Sequence, residues 1–175
     1  MKNSIKRIFI ITIILANIGC DQVSKDIVQK KVIPGDYIHI LDDNFILTNV
    51  ENTGAAMGLG QNWPTPAKII LLKIIPALVL LFLGYQILKN NNRNKWLTIS
   101  FAFIIGGGVG NLLDRFVHGS VTDFFFIKIG ILKTGIFNMA DVSVTLGALL
   151  ILFLTLSKKN EALNVINKDF LDGEG

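Results

Sequence analysis

One stretch of the chain constrains the fold more than any other. The 20 residues from Ile69 to Leu88 are almost entirely apolar. With a rise of about 1.5 Å per residue, a helix of this length crosses the hydrocarbon core of a bilayer. Lys73 lies one turn inside its start, where a long side chain can reach the interface. Pro76 can kink a membrane helix without ending it. The stretch therefore predicts a transmembrane helix.

Three more apolar blocks extend this prediction to the whole chain. The sequence of 175 residues is 51% hydrophobic and only 17% charged, and its mean hydropathy of +0.54 lies outside the soluble range. We predict an all-α polytopic membrane protein with one domain, residues 1–159, and a polar tail, residues 160–175. Its four transmembrane helices are expected at 8–28, 69–88, 96–113 and 137–156.

The two longer connections between the spans differ in character. After Pro34 the helical period disappears, and Tyr37–Leu41 and Phe45–Val50 are predicted to be short strands joined by a turn at Asp42-Asp43-Asn44. A small β-rich element is thus expected between helices 1 and 2. The connection between helices 3 and 4 is shorter, and its segment Val121–Phe124 fits either a strand or a re-entrant turn.

The net charge of +4 indicates membrane orientation, because the basic residues gather beside apolar blocks and form no basic face interleaved with aromatic side chains. Nucleic acid is therefore not an expected partner. The short connection after the second span is basic and free of acidic residues, which places it in the cytoplasm together with both termini. The loops 29–68 and 114–136 then face outward, although Lys128 and Lys133 weigh slightly against this. The residues that carry the assignment are Lys2, Lys6, Arg7, Lys89, Arg93, Lys95, Lys158 and Lys159.

The start of the chain imitates a secretory or lipoprotein signal, with a basic end and an apolar run that closes at Gly19-Cys20. Asn17 stands three residues before the cysteine, where such signals favour an apolar residue. We expect a retained first helix that continues past Cys20. The alternative, a lipoprotein modified at Cys20, stays open. As the only cysteine, Cys20 excludes an internal disulfide, and no metal or cofactor is expected.

Polar residues cluster at the predicted outward ends of spans three and four. Asn111, Asp114 and Arg115 share one helical face at the end of span three, and Asn138 and Asp141 share one at the start of span four. Asp123 lies between the two groups. Ionisable groups at membrane depth are costly and usually functional. A plain salt bridge between Asp114 and Arg115 at the helix end remains an alternative.

Two carboxylates held close together cannot both ionise cheaply, so one proton is shared between them. For Asp123 and Asp141, this pattern predicts general acid–base attack of water on a peptide carbonyl. Two rival classes stay open. A small transporter would use the acids to relay ions, and a serine–lysine protease would need a nucleophile near Lys25 or Lys73.

Two further stretches belong to the candidate site. In Asn52-Thr53-Gly54-Ala55-Ala56, small residues permit close backbone approach and Asn52 offers donors and an acceptor, although an ordinary loop is the competing interpretation. Asp21 and Lys25 lie four residues apart on the first helix, where they form either a stabilising pair or a solvated end turn.

These motifs together resemble the lipoprotein signal peptidases, the bacterial type II signal peptidases. The resemblance runs in order from about residue 8 to residue 156. It covers the following motifs: Asp21-Gln22-Val23-Ser24-Lys25, Asn52-Thr53-Gly54-Ala55-Ala56, Gly107 to Arg115, Val121-Thr122-Asp123-Phe124 and Phe137-Asn138-Met139-Ala140-Asp141. Two positions depart from the family pattern. Met57 stands where many members have an aromatic residue, and Gly135-Ile136 where Trp-Pro is common.

The resemblance implies an aspartic endopeptidase of the bacterial inner membrane that cuts diacylglyceryl-modified prolipoproteins just before the lipidated cysteine. It implies that Asp123 and Asp141 are the catalytic pair, with the active site near the outer membrane face. The residues implied to line or support the substrate site are Asn52, Gly54, Asn111, Asp114, Arg115, Asn138, Asp21 and Lys25. The expected partners are lipidated prolipoproteins and membrane lipids, and the chain is expected to act as a monomer.

Overall fold

Four helices of the protein are long and apolar enough to cross a membrane. The computed structural model describes residues 2–89 and 94–172, and within them the side chains of 4–89 and 94–157. In this part of the chain the candidate spans are Ser4–Lys31, Thr65–Lys89, Lys95–Val117 and Met139–Ser157, which confirms the four predicted helices. Orientation in the membrane stays a prediction. Arg93 and the side chains of Lys2, Lys158 and Lys159, on which it partly rests, lie outside the described residues.

The second span is built from two helices joined by a wider turn. Residues Ile70–Ile74 form a π-helical turn between the two. Pro76 is the second residue after this turn, and it lacks the N–H group that would continue the helical ladder. A π turn is one of the ways in which a helix absorbs such a mismatch. The helices are α1 Lys2–Lys31, α2 Thr65–Ile69, α3 Ile75–Lys89, α4 Lys95–Val117 and α5 Met139–Asp172.

A small antiparallel sheet joins the two long connections. Its strands are β1 Tyr37–Leu41, β2 Phe45–Asn52, β3 Val121–Ile129 and β4 Leu132–Lys133, in the order β1-β2-β3-β4. The predicted pair of strands after α1 is confirmed, and the open choice at residues 121–124 is settled as a strand. The sheet was expected only between helices 1 and 2, yet half of its strands come from the later connection. Both connections therefore lie on the same side of the helices.

Helix α4 packs against α1, α3 and α5, and its glycines make this possible. A Cβ atom added to Gly110 would lie 2.5 Å from Oδ2 of Asp21 on α1, and one added to Gly106 would lie 2.6 Å from Cβ of Asn17. On another face, a Cβ on Gly107 would overlap the carbonyl oxygen of Ala140 on α5. Gly106 and Gly110 lie four residues apart, which is the spacing of small residues that lets membrane helices approach closely.

The end of α1 is fixed beneath the sheet by a small apolar cluster. Val28 of α1 and Val32, which directly follows that helix, pack with Phe124 of β3, and all three are buried. Phe124 directly follows Asp123, so this cluster holds the strand that carries one of the candidate carboxylates. The start of α5 joins the same cluster through Met139. The three elements that surround the candidate site are therefore packed together.

Candidate active site

Asp123 is a buried carboxylate on β3 that faces two amide donors. It pairs with Val50 of β2 across the sheet. Oδ2 accepts a hydrogen bond of 2.9 Å from Nδ2 of Asn52, and Oδ1 accepts one of 2.7 Å from Nδ2 of Asn138. Both carboxylate oxygens are therefore held in place by neutral groups.

The environment of Asp123 favours its protonated form. Its pKa is raised from 3.8 to about 6, chiefly because burial disfavours the charged carboxylate. The charge of Asp141 adds to the rise in this pKa, while the hydrogen bonds from Asn52 and Asn138 oppose it. At mildly acidic to neutral pH, Asp123 is thus able to exchange a proton.

Asp141 is fixed at the first turn of α5 by a reciprocal pair of bonds. The backbone N–H of Asp141 donates to Oδ1 of Asn138 at 3.0 Å, and the backbone N–H of Asn138 donates to Oδ2 of Asp141 at 3.2 Å. This is the arrangement of a capping box, in which residues three apart satisfy each other's free N–H groups at a helix start. The spacing of Asn138 and Asp141 in the sequence follows directly from this need.

The amide of Asn138 connects the two candidate carboxylates. It is fully buried. Nδ2 donates both to Asp123 and, at 3.1 Å, to Oδ1 of Asn111. Asn111 in turn donates from its Nδ2 to Oδ1 of Asp141 at 2.8 Å. Asp123 and Asp141 therefore belong to one hydrogen-bonded network, although they come from a strand and a helix.

The loop after β2 is tied to the same site. Asn52 accepts from the N–H of Gly54 and donates to the carbonyl of Ala55, both at 2.9 Å. Nη2 of Arg115 donates to the carbonyl of Gly54 at 2.9 Å. A Cβ atom on Gly54 would lie 2.6 Å from the carbonyl oxygen of Leu59, so only glycine fits this turn.

Asp21, Lys25 and Asp114 form a buried ion cluster beside the carboxylates. Nζ of Lys25 lies 2.7 Å from Asp21 and 2.6 Å from Asp114. Lys25 is 3% exposed and Asp21 is 0% exposed, so the solvated end turn considered for this pair is excluded. The resemblance implied that Asp114 supports Arg115 or the helix end. Its ion pair with Lys25 ties the end of α4 to α1.

A cavity of about 540 Å³ adjoins the carboxylates. Its polar lining contains five of the residues selected from the sequence: Asn52, Asn111, Arg115, Asp123 and Asp141. Much of the remaining lining is apolar and comes from α5 and from the segments beside it: Ala55, Ala56, Met57, Ile136, Phe137, Val142, Val144 and Leu146. The cavity can therefore accept an apolar chain next to paired carboxyl groups.

The structure brings all ten selected residues into this region, either at the cavity wall or in the network behind it. One contributor was missed. Gln22 donates to Oδ1 of Asp114 at 2.9 Å and to the carbonyl of Gly110 at 3.3 Å. Its place beside Asp21 in a recognised motif was the available signal. The two positions that depart from the family pattern lie next to each other, since a Cβ atom added to Gly135 would lie 2.6 Å from Cγ of Met57.

Comparison with known proteins identifies the family of the chain. A family model described as signal peptidase (SPase) II matches residues 13–157. The chain belongs to the signal peptidase II family. It is 34% identical over 151 residues to a lipoprotein signal peptidase of Borrelia turicatae (strain 91E135), which covers 83% of this chain and 88% of that protein. The resemblance found in the motifs is thereby confirmed.

Two solved structures are also similar to this signal peptidase II family member. Both are described as bacterial membrane enzyme structures obtained by the in meso method, one at 2.3 Å and one at 1.9 Å resolution. The first has a TM-score of 0.78 and 29% identity, covering 87% of this chain and 90% of that one. The second has a TM-score of 0.73 and 27% identity, covering 85% and 92%. Family and helices together indicate a multi-pass peptidase of the bacterial inner membrane.

Proposed function

We propose that the chain is an aspartic endopeptidase that cleaves lipidated prolipoproteins just before the lipid-bearing cysteine. The observation that carries the proposal is the pairing of Asp123 and Asp141 through Asn138 at the wall of a largely apolar cavity. The name of the Borrelia relative supports the class of substrate. The membrane helices support an active site that a lipid-anchored peptide can reach from the bilayer.

The two carboxyl groups divide the work of acid and base. Asp141 lies at the start of α5, where the helix dipole favours negative charge, and acts as the carboxylate that takes a proton from water. The water oxygen attacks the scissile carbonyl carbon while Asp123, the protonated partner, gives its proton to the carbonyl oxygen. As the resulting diol collapses, the C–N bond breaks, Asp141 passes its proton to the leaving amine and Asp123 regains one from the diol.

The remaining cavity residues bind the substrate. Arg115 lines the cavity, and its Nε is buried and meets no acceptor among the described residues. It can therefore donate to a carbonyl oxygen of the peptide or of the ester-linked lipid. Val142, Val144 and Leu146 offer an apolar wall along α5 for the acyl chains.

The test is cleavage of a synthetic peptide that carries a diacylglyceryl cysteine, with an identical peptide that lacks the lipid as control. Only the lipidated peptide should be cut, with the new N-terminus at the cysteine. Asp123→Asn and Asp141→Asn should each lower kcat by at least about 10³-fold, since acid and base roles are worth about 10²–10⁴-fold each. The double variant should be hardly worse, because the two groups act as a unit.

Asp43 provides the matched control. It is exposed on the β1–β2 turn, so Asp43→Asn should retain full activity. Folding of each variant is checked by binding of an uncleavable lipidated peptide. Substantial turnover by either folded single variant would exclude the aspartic pair. A chain that cleaves nothing but conducts ions in liposomes would instead support the transporter hypothesis.

A further inference from the structure

The ammonium group of Lys25 lies behind the cavity wall. It is buried against Asp21, Asp114 and Oδ1 of Asn111, the last at 2.9 Å. An ammonium group has three N–H donors and no acceptor. Two of them donate hydrogen bonds to Asp21 and Asn111, and the contact with Asp114 is an ion pair. Asn111 lines the cavity, and Lys25 is not part of that lining. Lys25 therefore touches the proposed reacting groups only through its neighbours, although its charge also lowers the pKa of Asp123.

The contact between Lys25 and Asn111 fixes the orientation of the Asn111 side-chain amide. Because Lys25 can only donate, the atom of Asn111 that faces it must be the oxygen. The amide nitrogen then faces Oδ1 of Asp141, to which it donates at 2.8 Å. If the amide turned over, its NH₂ would oppose the ammonium and its oxygen would oppose the carboxylate. Lys25 thus makes Asn111 a donor to Asp141.

Asp21, which belongs to the same ion cluster, binds the backbone next to Asp141. Oδ1 of Asp21 accepts a hydrogen bond of 2.9 Å from the N–H of Ala140, while its Oδ2 pairs with Lys25. Gly110 leaves space for this carboxylate, because a Cβ there would lie 2.5 Å from Oδ2 of Asp21. One ammonium group therefore controls both the side-chain donor and the helix start that set the position of Asp141.

We propose that Lys25 is a positioning residue for catalysis, which orients Asp141 through the amide of Asn111 and through Asp21. The inference rests on the proposed role of Asp141 as the base. A small misplacement of a reacting group is enough to slow a reaction about 10²-fold. Loss of the Lys25 donors should therefore lower kcat much more than it changes substrate binding.

The test compares Lys25→Met with Lys30→Met in detergent or nanodiscs, using the lipidated peptide. Lys30 is the matched control, because it forms a 2.7 Å pair with Asp26 at the same spacing on α1 but is 69% exposed. Lys25→Met should lower kcat about 10²-fold and leave KM within about threefold. Lys30→Met should leave both constants unchanged. A normal kcat in folded Lys25→Met would overturn the proposal.

A further variant guards against misfolding, since Lys25→Met leaves two buried carboxylates unpaired. Lys25→Met/Asp114→Asn keeps the formal net charge of the cluster and still removes the donor to Asn111, so the same loss of kcat is expected.

A double-mutant cycle with Asn111→Leu tests the route. The losses from Lys25→Met and Asn111→Leu should not add, and additive losses would contradict action through Asn111. The two proposals fail separately. If Asp141→Asn retains activity, the proposed chemistry is wrong. If Asp141→Asn is inactive while both Lys25 variants keep a normal kcat, only the positioning role is wrong.

Discussion

Among the described residues, the side chains that donate hydrogen bonds to the two candidate carboxyl groups are neutral amides and not cations. Asn52 and Asn138 donate to Asp123, and Asn111 donates to Asp141. A cation beside a carboxylate lowers its pKa by about 1–3 units, which would remove the proton that the pair must share. An amide fixes the geometry with a smaller effect on that proton. The choice of asparagine at these three positions thus suits acid–base chemistry.

The protonation of Asp123 should set one side of the pH profile. In the free enzyme, Asp123 loses its proton as the pH rises through its pKa of about 6, so kcat/KM should fall above that pH. The hydrogen bond from Asn52 lowers this pKa. Asn52→Ala should therefore raise the pKa and move the descending side of the kcat/KM profile to higher pH. The shift would be visible in values of kcat/KM measured from about pH 4 to about pH 9 in steps of about half a pH unit.

Asn49 supplies the control for this measurement. It also lies on β2, but its amide donates to the carbonyl of Val32 at 2.9 Å. Asn49→Ala should lower stability by about 1–2 kcal/mol and leave the descending limb where it is. An unshifted limb in Asn52→Ala would mean that Asp123 is not the group whose deprotonation ends activity.

At the scale of elements, glycines decide how closely the helices approach. Gly107 faces the carbonyl of Ala140 on α5, one residue before Asp141. Gly107→Ala should push α5 away and lower the free energy of unfolding by about 1–3 kcal/mol, with loss of activity. Gly84 on α3 is the control, because a Cβ there meets nothing within 4 Å. Gly84→Ala should match or exceed the wild-type Tm. Equal Tm values for the two variants would contradict this packing.

Arg115 links α4 to the loop after β2 through its bond to the carbonyl of Gly54. Arg115→Lys keeps the charge but loses the planar set of donors. We expect KM for the lipidated peptide to rise about tenfold or more, with faster proteolysis of residues 54–63. Lys68→Ala is the control, since the Lys68 side chain donates an exposed hydrogen bond of 3.3 Å to Thr53 in the same loop. Normal kinetics in Arg115→Lys would confine Arg115 to an electrostatic role.

The sequence predicted local features better than contacts between distant elements. The four helices and the strands β1 and β2 follow from apolar runs and turn residues, and the site residues stood out because polar groups are rare in apolar surroundings. The pairing of β2 with β3 depends on residues about seventy positions apart, as Val50 and Asp123 show. The burial of Asp21 and Lys25 depends on the approach of Gly110. Neither is visible in a local pattern.

At the scale of the whole molecule, the sheet constrains the membrane topology independently of the charge distribution. Because β2 and β3 pair, Asp42 and Gly130 must lie on the same side of the membrane. The distribution of basic residues predicts that this side is the outer one. Reporter fusions at Asp42 and Gly130 should both report the outer side, and a fusion at Asn94 the cytoplasm. Opposite results at Asp42 and Gly130 would contradict the fold, whereas a uniform reversal would contradict only the orientation.

The sheet shared by the two connections also determines the stage of synthesis at which the candidate site can be complete. Asp123 needs Asn52 from β2, and its partner Asp141 enters only with α5, after most of the chain has been made. A nascent chain that stops before residue 141 carries one of the two proposed catalytic groups. Prematurely terminated fragments would therefore reach the membrane without peptidase activity, and no separate inhibitory segment would be required during synthesis.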